Sequence, residues 1–103
     1  MLYKILNALK ALRSNRVLFD DGSYVEYFNR EAILYVEESG RQIEIVWYFI
    51  PKGTRGRLLY KTDINYWDAP YSDDVISEQK KVEIIKKIYE YCRKRSIPLE
   101  IKE

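Results

Sequence analysis

The sequence contains no histidine and only one cysteine, Cys92. Without histidine, the chain lacks the commonest general base and the nitrogen ligand that zinc favours. A single cysteine cannot form an internal disulfide, and a thiol nucleophile would need an activating base that the chain does not supply. The phosphate-binding patterns GxGxxG and GxxxxGK followed by Ser or Thr are also missing. We therefore expect a protein that is not an enzyme, with no catalytic residue and no cofactor.

Long apolar runs are missing as well. The stretch from Met1 to Lys10 is interrupted by lysines and followed by Arg13 and Arg16. It therefore lacks both the unbroken apolar segment of a signal peptide and the ~20 apolar residues of a membrane span. We expect a cytoplasmic protein with no membrane partner. With 103 residues, 47% of them hydrophobic, residues 1–103 are expected to form a single domain that buries its own core.

The charges nearly balance overall but are unevenly distributed. Eighteen basic and sixteen acidic residues give a net charge of +2, which is too small to indicate nucleic acid by itself. Residues 63–78, which we call the acidic loop, carry four aspartates, one glutamate and no basic residue. The remaining 87 positions hold eighteen basic residues and eleven acidic ones, a net charge of +7. An acidic island on a basic body can orient a charged partner through its field.

The first half of the chain changes its hydrophobic period from that of a helix to that of strands. Residues 2–13 have the spacing of an amphipathic helix, and from Arg16 the apolar period is two. The pair Asp21-Gly22 between apolar runs indicates a hairpin. Residues 42–50 are predicted to be the central, best-buried strand, with Phe49 on the same inward face as the preceding alternate apolar residues. Five strand candidates with short connections predict an antiparallel meander: 16–20, 23–28, 32–37, 42–50 and 57–62.

The last quarter of the chain predicts a long helix and one short strand. Ser77 is a suitable N-cap, and the helical pattern continues to about Arg95 before Pro98 forbids it. Residues 99–101 alternate like a strand. The predicted fold is therefore α+β: an N-terminal helix, a five- to six-stranded antiparallel meander sheet, a long C-terminal helix packed on the sheet, and a short final strand. The helix residues predicted to face the sheet are Val82, Ile85, Ile88, Tyr89 and Cys92.

The acidic loop is the candidate binding site. Its aspartates do not have the spacing of a calcium-binding EF-hand, so we predict no metal site. In one interpretation the acids near the helix start only stabilise its positive end, each by roughly 0.3–1 kcal/mol. In the other, acids and aromatic residues stay exposed and bind a partner, since Tyr and Trp are enriched at interface hot spots. Trp67 and Pro70 are predicted as loop supports, with Trp67 plugging an open end of the sheet. The predicted partner-binding residues are Asp63, Tyr66, Asp68, Tyr71, Asp73 and Asp74.

Two other functions compete with protein binding. Basic residues around the fifth strand candidate, together with ten tyrosines, could form a positive groove with stacking rings for single-stranded nucleic acid. No aromatic run of the kind found in RNA-recognition motifs is present, and tyrosines on strands are usually half-buried. Nucleic acid, or a regulatory ligand, is therefore the alternative, and a hydrolase with an aspartate pair ranks third. The basic residues concerned are Lys52, Arg55, Arg57 and Lys61.

The C-terminal part of the chain resembles a known family. A strand is followed by the segment Ile64–Pro70, then by Val75-Ile76-Ser77-Glu78 opening a helix that contains Ile84-Ile85, and then by a short terminal strand. This order, and above all the Trp-x-x-Pro step before the Ile-Ser-Glu helix start, resembles the small bacterial immunity proteins of polymorphic toxin systems, most closely immunity protein family 74. The resemblance covers roughly residues 57–102. It implies a non-enzymatic inhibitor that binds a cognate toxin domain, often a nuclease, inside the producing cell.

Overall fold

The computed structural model describes residues 16–50 and 56–103. Within these residues it contains six strands in one sheet, a 3-10 turn (Lys61–Asp63) and one long helix, α1 (Glu78–Lys94). This confirms an α+β fold with a helix near the C-terminus. The predicted N-terminal helix at 2–13, and Lys52 and Arg55, lie outside the described residues. The strands are β1 (Arg16–Leu18), β2 (Tyr24–Asn29), β3 (Ala32–Val36), β4 (Gln42–Phe49), β5 (Arg57–Tyr60) and β6 (Leu99–Lys102).

The strands lie in the sheet in the order in which they occur in the chain. β1 to β5 form the predicted antiparallel meander. The last strand differs from the prediction, because β6 pairs with β5 in the parallel direction, with Arg57 opposite Leu99 and Tyr60 opposite Lys102. The physical reason is the connection: α1 carries the chain back along the sheet, and a strand, a crossover helix and a second strand give a parallel pair.

The hairpin predicted at Asp21-Gly22 is confirmed. Gly22 has a φ of +88°, a left-handed conformation that glycine adopts without a steric penalty. The backbone N–H of Phe19 donates to the carbonyl of Ser23 at 2.9 Å and closes the turn. The turn between β3 and β4 is built similarly around Gly40, whose φ is +95°. Both turns set the register that places Val17, Val25, Tyr35 and Ile43 in one row on the face toward α1.

The core lies between α1 and one face of the sheet, and two details of its prediction are wrong. All five residues of β3 are buried, whereas β4 alternates and its Phe49 is 51% exposed, so β3 is the best-buried strand. Val82 and Tyr89 of α1 are exposed, although they were predicted to face the sheet. Two apolar stripes with helical spacing run along α1, and periodicity alone does not choose between them. The buried stripe consists of Ile84, Ile88, Tyr91 and Cys92.

Candidate functional site

The two ends of the acidic loop pair with each other as in a short hairpin. The N–H of Ile76 donates to the carbonyl of Asn65 at 2.8 Å, and Tyr66 and Val75 form an antiparallel bridge. Three side chains of the loop belong to the hydrophobic core and fix its position, while the residues between them turn outward. These anchors are Ile64, Trp67 and Ile76.

The loop lies against β4 because β5 is short. β5 pairs only with Trp47 to Phe49, which leaves the first half of β4 without a strand on that side. Backbone groups on a strand edge need other partners, and Asp68 supplies them. Its N–H donates to the carbonyl of Gln42 at 2.8 Å, and its carboxylate Oδ2 accepts the N–H of Glu44 at 3.0 Å. Asp68 is half-buried and fastens the loop to the sheet.

Trp67 and Pro70, the two predicted loop supports, occupy different environments. Trp67 is buried, and its ring stacks on that of Tyr35 in β3 with centroids 6.2 Å apart and planes at 26°. This is the position that a plug at the end of the sheet would take. Pro70 is exposed, and the peptide bond between Ala69 and Pro70 is cis. Their role as supports stays a prediction.

Asp74 and Tyr71 both contact Arg41, a cation that the sequence did not place near them. Arg41, from the turn between β3 and β4, donates to the carboxylate of Asp74 at 3.0 Å, and its guanidinium lies 4.6 Å from the centre of the Tyr71 ring. The pair is partly exposed, and such pairs contribute at most about 1 kcal/mol. Arg41 lies 33 residues from Asp74 in the chain, so no local pattern connects them. The charge of Asp74 is therefore compensated within the protein.

Glu78 lies at the start of α1, and its charge is also compensated within the protein. Ser77 is the N-cap, as predicted, and its hydroxyl accepts the N–H of Lys80 at 3.1 Å. Glu78 accepts from Lys81 at 2.9 Å, and Lys61 lies 3.6 Å away. The hydrogen bond from Lys81 holds the pKa of Glu78 below its ordinary value. Glu78 lies in the first turn of α1, where the first of the two interpretations expects an acid to be favourable.

Asp63 and Asp73 differ from the other acids of the loop. Both are exposed, and neither side chain forms a hydrogen bond or ion pair with the described residues. Two residues after Asp73, Val75 is 70% exposed and bridges Tyr66, which is 55% exposed. Val75 was not among the predicted site residues, although its position beside the anchor Ile76 implies that it faces outward. We call Asp63, Tyr66, Asp73 and Val75 the exposed loop surface.

A second polar cluster lies beneath the hairpin of β1 and β2. Lys87 of α1 donates to Ser23 at 2.7 Å and to Asp21 and Glu83, beside a cavity of about 260 Å³. Burial alone would lower the pKa of Lys87, but the hydrogen bonds to Asp21 and Glu83 outweigh it and raise the pKa. These contacts join α1 to the hairpin of β1 and β2.

Three further features of the described residues concern the cysteine, possible metal ligands and membrane spans. Burial raises the pKa of the Cys92 thiol to about 12, so the nucleophilic thiolate is scarce at neutral pH. Among residues 16–50 and 56–103, no group of three acidic or cysteine side chains is placed to hold a metal ion. In the same part of the chain, no helix has both the length and the apolar character needed to cross a membrane.

The two described residues of the predicted basic groove, Arg57 and Lys61, each contact other side chains of the protein. The guanidinium of Arg57 lies 4.1 Å from the centre of the Phe49 ring and also lies over Trp47. Lys61, beyond the end of β5, is within 4 Å of carboxylates of Glu78 and Glu103. Each of these two cations therefore has partners within the protein, and the basic groove stays a prediction because Lys52 and Arg55 lie outside the described residues.

The fold and the loop together define a class of protein: a small α+β domain that holds an exposed acidic and aromatic surface on a well-anchored loop. Comparison with known families identifies it further. The family model described as Immunity protein 74 matches residues 29–102, which is well over half of the chain. The chain therefore belongs to the immunity protein 74 family. No curated protein and no solved structure matches the sequence.

Proposed function

We propose that this protein is a non-enzymatic inhibitor that binds a cognate bacterial toxin domain in the cytoplasm of the producing cell and blocks its active site. Membership of the immunity protein 74 family supports a toxin partner. The observation that carries the proposed binding site is the exposed loop surface, where two acids without a partner among residues 16–50 and 56–103 flank a bridged Tyr66 and Val75. Tyrosine is enriched at interface hot spots, and an apolar centre with a polar rim is typical of protein interfaces.

The anchoring of the loop favours binding over a structural role alone. Ile64, Trp67 and Ile76 are buried, and Asp68 is hydrogen-bonded to β4, so the loop is held before a partner arrives. A preformed binding surface loses little conformational entropy on association. Tyr66 and Val75 would supply apolar contact, with Tyr71 beside them. Asp63 and Asp73 would attract a basic toxin surface, and the basic cleft of a nuclease is the toxin type that fits this charge.

The test uses the toxin domain encoded next to this protein's gene and measures association by stopped-flow or surface plasmon resonance. The variant Asp63→Lys with Asp73→Lys should retain the wild-type unfolding midpoint, because neither side chain has a partner among the described residues. Its association should be slower by about tenfold at low salt, and the difference should shrink as salt is added.

The matched control is Glu31→Lys with Glu100→Lys, which changes the net charge equally at exposed acids outside the loop. If the control slows association as much as the loop variant does, only overall charge matters and the proposed surface is wrong. A second readout is protection of cells that express the toxin, which the loop variant should weaken and the control should retain.

A further inference from the structure

The sheet has two apolar faces, and α1 covers only one of them. Register places Val25, Ile33 and Tyr35 on the face toward α1, within the core cluster. Neighbouring strand residues point the opposite way, and many of them are apolar or aromatic. An antiparallel sheet that faces water usually carries polar residues on that side. We call this second side the far face, and its apolar and aromatic members are Leu18, Tyr24, Ala32, Leu34, Val36, Val46, Tyr48, Leu58 and Tyr60.

The far face contains a buried centre. Ala32, Leu34 and Val36 are buried, although none of them belongs to the core cluster beneath α1. Around them Leu18 and Val46 are 69% and 42% exposed. Register also places four polar residues on the far face, and two of them, Arg16 and Glu26, form an ion pair at 2.9 Å; the other two are Gln42 and Glu44. The apolar centre and the exposed Leu18 and Val46 beside it form a contact surface that a further layer would bury.

The chain itself offers a segment of suitable length and composition for this face. Residues 2–13 carry five leucines and isoleucines at helical spacing, and the segment joins directly to β1 at Arg16. Arg16 lies in the same cross-strand row as Leu34, and β1 runs from there toward Val36. β1 therefore begins toward the end of the sheet where Ala32 is paired with Val46.

The length of this segment as a helix also agrees with the width of the far face. A twelve-residue helix is about 18 Å long. Strands lie about 4.8 Å apart, so β1 to β4 span about 14 Å. We propose that residues 2–13 form an amphipathic helix that packs on the far face, with Leu2, Ile5, Leu6, Leu9 and Leu12 against the sheet. The molecule is then a sheet between two helices, and its exposed loop surface remains open to a partner.

The test is photo-crosslinking of the purified full-length protein, with p-benzoylphenylalanine in place of Val46 on the far face. The matched control places it at Val82, on the outer side of α1, which is 45% exposed compared with 42% for Val46. Illumination of the Val46 protein should give a product of monomer mass, in which mass spectrometry joins position 46 to a peptide from residues 2–13. A cross-link from position 82 to a peptide from residues 2–13 should form in at least several-fold lower yield.

Two substitutions in the segment make the result specific. Leu6→Asp with Leu9→Asp should abolish the cross-link, while Asn7→Asp, on the polar side of the segment, should leave it unchanged. A covalent dimer would identify a second copy as the occupant and overturn the proposal. Equal yields at Val46 and Val82, or no product from residues 2–13, would overturn it too. None of these outcomes bears on toxin binding, because no toxin is present and no residue of the acidic loop is changed.

Discussion

Replacing Asp68 by alanine should destabilise the fold rather than weaken a contact with the toxin. The carboxylate accepts the N–H of Glu44 at 3.0 Å, and the substitution leaves that N–H without its acceptor. Such a loss costs about 1–3 kcal/mol, and the lower half of this range applies because Glu44 is exposed and water can replace the carboxylate. With an unfolding entropy of about 2.1 cal/mol/K per residue, a loss of about 1–2 kcal/mol lowers the melting temperature of a chain of this length by about 5–9 °C.

Urea denaturation followed by tryptophan fluorescence measures this directly, because Trp67 is next to Asp68 and is buried in the native state. Asp68→Asn retains an acceptor oxygen and should recover about half of the loss, since a neutral acceptor forms a weaker hydrogen bond than a carboxylate. Asp73→Ala is the matched control and should leave the midpoint unchanged. An unchanged midpoint for Asp68→Ala, combined with a slower association with the toxin, would show that Asp68 contacts the partner and that the argument from the β4 edge is wrong.

Two further predictions concern the core and the polar cluster. Trp67→Ala should cost about 3–5 kcal/mol of unfolding free energy in urea titrations because it removes a buried ring that stacks on Tyr35, whereas Tyr66→Ala should change it by less than about 0.5 kcal/mol. Hydrogen bonds from Lys87 and Ser23 hold the pKa of Asp21 well below its ordinary value of 3.8, so its contribution to stability is complete above about pH 4 and is lost as the pH falls further. Unfolding free energies measured at several values between about pH 5 and pH 2 should therefore fall less steeply for Lys87→Met than for the wild type, and equal slopes would contradict this role for Lys87.

Much of the fold could be predicted because its signals are local. The alternation of β4, the Asp21-Gly22 turn and the Ser77 cap each depend on residues that are close in sequence. The direction of β6 is not a local property, because it follows from the path of α1 across the sheet. The same limit applies to the buried face of α1, where the stripe containing Ile84 and that containing Val82 have equivalent spacing and only the anchored loop before the helix selects one.

The acidic loop was predicted as one candidate region, but the contacts of its individual residues depend on tertiary structure. Asp68 and Asp73 are both aspartates of the same loop, and no property of the sequence separates them. What distinguishes them is the edge of β4 that β5 leaves unpaired, where the Asp68 carboxylate finds a backbone N–H. Asp74 is likewise distinguished by Arg41, which a turn elsewhere in the chain brings to it.

These differences change how binding through the loop should work. Asp68, Asp74 and Glu78 have partners inside the protein, so the loop's field is weaker than its five acids suggest. Two exposed acids are enough to orient an approaching basic surface, which affects the rate of association. They contribute little to holding the complex, because exposed charge pairs are weak. Within the proposed function, the lifetime of the complex must therefore depend mainly on apolar contact at Tyr66 and Val75, the bridged pair that the anchored loop keeps exposed.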